Sequence, residues 1–262
     1  MVEKMVEVCS LCEGSGLRIV EEDGRQVARA CECRIERRAE QRLSKARIPK
    51  RFRNCSFESF ETTHRSSDPS LKKALSTAKH FFEVYPLETA GQGILFTGPS
   101  GLGKTHLAVS ILKALITERG ASGVFWEQKE LLEALRATYE KRIVGEENQL
   151  LSSVLKCDVL VLDDLGDMTP SDWSWDTTSY ILSSRYNESL STIITTNLEN
   201  STKAPLPANP NDMFEKARRA NTQTTLGDRI GERMRSRLQE MCVVVEMQGE
   251  DFRQKVKRAS FA

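Results

Sequence analysis

The sequence predicts an α/β fold with a parallel sheet, and three observations carry the prediction. Apolar strand-like runs at 93–97, 123–127, 159–163, 191–196 and 242–247 alternate with helical runs, the pattern of a sheet covered on both faces. The first run, Gly93-Ile-Leu-Phe-Thr97, leads into Gly98-Pro-Ser-Gly-Leu-Gly-Lys-Thr105, which fits the phosphate-binding pattern G-x-x-x-x-G-K-[ST]. A third stretch, Asp158-Val-Leu-Val-Leu-Asp-Asp164, is apolar throughout and ends in two acids, as expected of a strand buried on both faces that delivers carboxylates to a ligand edge.

The glycine stretch has the context that its chemistry needs. A helix is expected from Thr105 to Thr117, with Leu107, Ile111, Leu112 and Leu115 at near-helical spacing. Strand, loop and helix N-terminus together can wrap a phosphate chain in N–H groups. The nucleotide-binding stretch is taken as Gly98, Pro99, Ser100, Gly101, Leu102, Gly103, Lys104, Thr105 and His106. Lys104 is expected at the β- and γ-phosphates, and the Thr105 hydroxyl on Mg²⁺. Asp163 is the expected Mg²⁺ partner, and Asp164 the polariser of the attacking water. The bland alternatives are a chance glycine turn and a surface turn bearing two acids.

With 262 residues, 39% hydrophobic and 29% charged, the chain is long enough for a sizeable core and ordinary in composition. Its formal net charge of +1 gives no global field toward nucleic acid, so any such contact must come from a local patch. No apolar run approaches the roughly 20 residues that a membrane helix requires. Glu3 and Glu7 argue against a signal peptide, so a cytoplasmic protein is expected.

From the N-terminus, Cys9-Ser-Leu-Cys12 and Cys31-Glu-Cys33 flank two short strands, around Leu17–Val20 and Gln26–Ala30, joined by the turn signal Asp23-Gly24. Folding that hairpin brings Cys9, Cys12, Cys31 and Cys33 together, and four thiolates suit a structural Zn²⁺. Cys55, Cys157 and Cys242 are expected in the core. Residues 34–53 hold nine basic and two acidic side chains, with a helix ending near Ala46; the run fits a solvated linker helix or a binding arm. Phe52, Phe57 and Phe60 mark an ordered lead-in before a helix over 70–85.

Two helices are expected over 128–143 and 146–156, broken near Val144-Gly145; the first ends in the basic and aromatic tip Arg136, Tyr139, Lys141 and Arg142. Trp173 and Trp175 follow the acidic strand as core residues or as a base-stacking platform. The fourth strand ends at Asn197, fit either to orient water and sense the γ-phosphate or simply to terminate a strand. A polar loop is expected over 198–225, with a basic patch at Lys216-Ala-Arg-Arg219. One helix from Leu226 to Leu238 then places Arg229 and Arg233 four apart on one face.

Taken in order, the cysteine pairs, Ile48-Pro49, Phe57-Glu-Ser-Phe60, the glycine loop, Leu162-Asp-Asp-Leu-Gly166, Thr195-Thr-Asn197, Gly227-Asp-Arg-Ile-Gly-Glu-Arg-Met234 and Gly249-Glu-Asp-Phe-Arg253 resemble bacterial replicative helicase loaders of the DnaC/DnaI type. The resemblance implies an AAA+ P-loop ATPase with a five-stranded parallel sheet, preceded by a small cysteine-ligated zinc module. It implies ATP, Mg²⁺ and Zn²⁺ as cofactors, and a replicative DNA helicase and single-stranded DNA as partners, with ATP-dependent homo-oligomers. The corresponding division is 1–47 for the zinc-binding helicase-interaction module, 48–69 for a linker and 70–262 for the ATPase.

By motif position Asn197 resembles a first sensor, Arg253 a second, and Arg229 or Arg233 an arginine finger acting in a neighbour's site. The helices after residue 127 resemble the insertion of the replication-initiator clade, with Arg136, Tyr139, Ser171 and Trp173 in the DNA-facing places. Two features depart from the family pattern: Asp164 stands where Glu is frequent, and the loop over 199–225 is long. A transposition helper ATPase of the IstB type, which shares this core, and a zinc-module adapter with a structural nucleotide are the alternatives.

Overall fold

The computed structural model describes residues 9–62, 68–141, 146–169, 171–201 and 224–255. The break expected near Val144-Gly145, Arg142, and the basic patch over 216–219 lie outside the described residues.

Strands β1 (Leu17–Glu22) and β2 (Arg25–Ala30) form an antiparallel hairpin in which Leu17 faces Ala30 and Glu22 faces Arg25. Asp23 and Gly24 both take positive φ, 51° and 72°, which matches the twist that a two-residue hairpin turn demands. Helix α1 (Glu32–Lys45) follows directly from Cys31. After one 3₁₀ turn at Lys50–Phe52 comes α2 (Pro69–Val84), capped by the Asp68 carboxylate, which accepts from the Ser70 N–H, with proline at the first helical position.

The body holds β3 (Gly93–Thr97), α3 (Lys104–Glu118), β4 (Gly123–Glu127), α4 (Gln128–Lys141), α5 (Glu146–Lys156), β5 (Val159–Asp163), α6 (Asp172–Asn187) and β6 (Ser191–Thr196). It closes with α7 (Leu226–Ile230), α8 (Glu232–Met241), β7 (Cys242–Glu246) and α9 (Phe252–Lys255). The five body strands are parallel in the order β4-β5-β6-β3-β7, so all five carboxyl ends share one edge. β3, β5 and β6 are buried along their whole length, which is why their sequences are apolar runs without alternation.

Successive strand residues feed opposite layers. Ile94 and Phe96 pack with α2 and α3, including Leu107, Ile111, Leu112 and Leu115, all fully buried. Leu95, Leu160, Leu162 and Ile194 pack with the layer that holds Leu131, Leu135, Ile181 and Leu238. Cys55, Cys157 and Cys242 are buried, as their apolar surroundings suggest. Leu43, Ala46, Ile48, Phe52, Phe57 and Phe60 also join the first layer, so the stretch after α1 packs directly on the body.

One expectation is corrected. The span from Leu226 to Leu238 is two helices, because Gly231 takes φ 77° and ψ 150° and ends α7 before α8 begins. Any Cβ at that position would also run into the Trp175 ring. Arg229 and Arg233 therefore do not share one helical face.

Candidate nucleotide site and cysteine centre

Gly103 adopts φ 86° and serves as the N-cap of α3, so the loop can turn its N–H groups inward and pass straight into the helix. A Cβ there would meet the Phe60 ring at 2.6 Å, which leaves glycine as the residue that fits. Lys104 is 5% exposed and donates to the carbonyl oxygens of Gly98 at 2.6 Å and Pro99 at 2.7 Å. Burial pulls its pKa down to about 8, with the charges of Asp164 and Asp163 opposing the shift.

The acidic strand end lies against the loop. Asp163 accepts from the Thr105 hydroxyl at 2.8 Å and from the Thr195 hydroxyl at 2.6 Å, both on Oδ1. Burial pushes its carboxyl up to about 6. Asp164 turns the other way, in a left-handed backbone conformation at φ 53°, and accepts from Asn197 Nδ2 at 3.2 Å. An alcohol and a carboxylate in contact form an oxygen donor set suited to Mg²⁺.

A cleft of about 480 Å³ opens here, lined by Lys104, Thr105, Asp164, Asn197 and Arg253 together with Arg51, Phe52 and Cys55. Glycine-loop turns, a buried ammonium and an alcohol–carboxylate pair on one cavity fit a magnesium nucleotide. Arg253 arrives on a C-terminal segment held to the loop by the bond from the Phe252 N–H to Gly101 O, 3.2 Å. His106 lines the cleft but points Nε2 at Ser56 O, 2.9 Å, and Ser59 Oγ, 3.1 Å. It thus joins the glycine loop to the lead-in, while Lys113 Nζ holds the carbonyls of Arg53 and Cys55 at 2.5 and 2.7 Å. Arg51, Phe52 and Cys55 belong to no nucleotide-binding pattern. Only the aromatic spacing of the lead-in hinted that it had a surface to meet.

The remaining expected residues divide. Arg136 stacks its guanidinium over Trp173 at 4.7 Å, and Tyr139 meets the same ring edge-on at 6.5 Å, so three of the four expected DNA contacts form one cluster. Ser171 serves as the N-cap of α6, accepting from the Ser174 N–H at 3.3 Å. Trp175 is 40% exposed. Arg229 donates to Met168 O at 3.3 Å within its own chain, whereas Arg233 is exposed on the first turn of α8.

The four N-terminal cysteine sulfurs all lie within 4.8 Å of one another, with Cys9 to Cys31 at 3.8 Å and Cys12 to Cys33 at 3.5 Å. Four sulfurs each about 2.3 Å from one ion sit roughly 3.8 Å apart, so this spacing fits tetrahedral Zn²⁺. No helix among the described residues is long and apolar enough to cross a membrane.

The model of the IstB-like ATP binding proteins matches residues 10–203, which include three of the four clustered cysteines and the glycine loop, Asp163, Asp164 and Asn197. The chain belongs to that family. Within it, the chain is of the DnaC/DnaI loader type, an AAA+ P-loop protein. It is 32% identical over 120 residues to the replicative helicase loader DnaC of Escherichia coli K12, a match covering 46% of each chain, so it spans about half the length of the curated relatives it matches first. A crystal structure of the DnaC helicase loader aligns with TM-score 0.59 and 34% identity, covering 76% of this chain and all of that one. A crystal structure of DnaI aligns with TM-score 0.54 and 22% identity, covering 80% of this chain and 94% of that one, and shows the shared fold. This IstB-like chain thus pairs a nucleotide-fit cleft with a metal-fit cysteine cluster, joined by a lead-in that touches both α1 and the glycine loop.

Proposed function

We propose that the protein is an ATP-dependent loader that binds a replicative DNA helicase and places it on single-stranded DNA. The observation that carries the reading is the single cleft on which Lys104, Thr105, Asp164, Asn197 and Arg253 converge, with Asp163 bonded to Thr105 beneath it. Its DnaC relatives, named as helicase loaders, supply the loading role.

In this reading Lys104 exchanges its two carbonyl partners for phosphate oxygens, and Thr105 and Asp163 hold Mg²⁺. The ion supplies charge neutralisation on the phosphates. Asp164, steadied by Asn197, orients the attacking water, and Arg253 contacts the nucleotide from its own chain. Arg233, free of the internal bond that ties Arg229, is the finger reaching a neighbouring subunit's cleft in an ATP-dependent homo-oligomer. The cysteine module over 1–47 binds Zn²⁺ through Cys9, Cys12, Cys31 and Cys33 and docks the helicase, 48–69 connects it, and 70–262 forms the ATPase. Arg136, Tyr139 and Trp173 grip the strand, and the protein works in the cytoplasm.

The test is to mix the chain with its host's replicative helicase and measure complex mass with and without ATP, then score helicase transfer to labelled single strands. A mixture that never forms a complex removes the loader reading. The IstB-like family model favours a second reading, a transposition helper gripping double-stranded DNA. Stronger binding to duplex than to single strand would select it.

A further inference from the structure

The Thr195 hydroxyl has one hydrogen to donate and lone pairs to accept with, and the structure engages both at Asp163, the last residue of β5, and at Asp164, which follows it. The hydrogen goes to Asp163 Oδ1 at 2.6 Å, and the oxygen accepts the N–H of Asp164 at 3.0 Å. Thr195 is 0% exposed, so bulk water does not compete for its hydroxyl. A strand threonine ordinarily satisfies its hydroxyl on nearby backbone of its own segment. Here it reaches across to a neighbouring strand and to the residues at the nucleotide edge.

The backbone around it reinforces the grip. The Leu165 N–H donates to Thr195 O at 2.8 Å, and the Thr196 hydroxyl donates to Leu165 O at 2.7 Å while accepting the Leu198 N–H at 3.1 Å. Residues 163–165 are thus clamped by two consecutive threonines on opposite faces of β6. Asp164 sits at φ 53°, a conformation that a non-glycine residue holds only where its surroundings enforce it. The hydroxyl receiving its N–H is part of that enforcement.

We propose that Thr195 is a positioning residue for ATP hydrolysis, its single hydroxyl holding Asp163 against Thr105 and turning Asp164 outward toward Asn197. The inference rests on the ATPase reading above and adds to it a residue that neither touches nucleotide nor belongs to a phosphate-binding pattern. It accounts for how two adjacent acids take separate roles: one hydroxyl donates to the carboxylate of the first and accepts the backbone N–H of the second, which holds the first side chain in place and helps fix the backbone turn from which the second departs.

The experiment uses the full chain and a fluorescent ADP analogue, titrated with Mg²⁺ after a first measurement in chelator, followed by steady-state ATP hydrolysis. Valine has nearly the shape of threonine but lacks the hydroxyl. Thr195→Val is expected to bind the analogue in chelator within about twofold of the parent and to need about fivefold more Mg²⁺ for the metal-dependent tightening, as loss of a hydrogen bond to a charged group implies. Its kcat falls about tenfold while the KM for ATP stays level. Thr195→Ser, which restores the hydroxyl, returns both values to within about twofold of the parent.

A valine variant with parental Mg²⁺ demand and kcat overturns the inference, as does a serine variant as impaired as valine, which would assign the role to the methyl group. Thr195→Ala carries the same expectation as valine without a second methyl beside the carboxylate. If both variants lose binding in chelator, Thr195 holds the fold rather than the acids, and the inference fails. A parent protein that binds the analogue but hydrolyses no ATP instead removes the ATPase reading, and the Mg²⁺ titration still reports on Thr195.

Discussion

Thr105 donates its hydroxyl hydrogen to Asp163 across 2.8 Å, so the first helical turn after the glycine loop and the end of the acidic strand are in contact. The bond partly offsets what burial costs the carboxylate, whose pKa stands at about 6. In the unfolded chain the same group titrates near ~3.9. Between those values the folded protein keeps a proton that the unfolded one has released, so stability without nucleotide falls as pH rises from about 4 to about 6. Asp163→Asn should abolish that slope and be more stable than the parent by on the order of 2 kcal/mol at pH 7, while losing hydrolysis. Urea unfolding at pH 4 and pH 7 measures it; equal stability of the two proteins at pH 7 would contradict the burial argument.

Removing zinc should unfold the N-terminal module and spare the body. The hairpin β2 is exposed along its length and α1 has no buried residue, so the segment lacks a core of its own and depends on four thiolates. Freshly purified protein should carry one zinc per chain, and Cys31→Ser should lose it together with helicase binding. Protease cleavage should then appear within 9–45 while nucleotide affinity holds. Metal analysis that finds no zinc in the parent would refute this.

The two arginines of α7 and α8 should separate in mutagenesis. Arg233→Ala is expected to bind ATP normally and to lose hydrolysis only in the assembly, whereas Arg229→Ala should lower stability by about 1 kcal/mol through its lost bond to Met168 O. Mixing Arg233→Ala with Lys104→Ala should restore part of the activity, because one supplies an intact cleft and the other an intact finger. Failure to restore activity at any ratio would exclude a role across subunits.

Trp173→Ala and Tyr139→Ala should each weaken single-stranded DNA binding by about tenfold, the worth of one stacking ring, with an unchanged salt slope. Arg136→Ala should lower the slope by about one contact's share, since it removes a phosphate partner. It also uncovers the Trp173 face that Arg136 now occupies at 4.7 Å and leaves it open to stack on a base, so the affinity deficit should shrink at high salt, where the phosphate contact is screened. Anisotropy across a salt series reads all three variants, and indifference to both ring substitutions would assign the cluster to packing.

The sheet was legible in the sequence because strands buried on both faces leave unbroken apolar runs, and the glycine loop and cysteine pairs because their chemistry demands fixed spacing. The break at Gly231 was masked by its neighbours: Leu226, Ile230, Met234 and Leu238 recur every fourth residue and are all buried, so the helical period runs through the interruption. Arg185 left no signal at all. It is fully buried, donating to the carbonyls of Val154, Cys157 and Ser191 and to the Thr192 hydroxyl, and nothing in the periodicity of α6 separates it from a solvent-facing arginine. Phe52 was legible as a packing residue of the lead-in but not as cleft lining, and Thr195 was legible as part of a motif but not as the partner of Asp163, since those partners lie on elements distant in sequence.

The edge strand β4 donates the Phe125 N–H to Ala46 O at 2.8 Å, and Arg47 lies over Trp126 at 3.6 Å. Ala46 and Arg47, just after α1, thereby occupy the rim of the parallel sheet, where an unpaired strand would otherwise offer itself to another molecule. A protein begun at residue 48 would bare that rim together with an indole whose N–H already lacks a partner. Such a truncated body should self-associate by strand addition, which makes this short stretch a guard against aggregation quite apart from anything it binds.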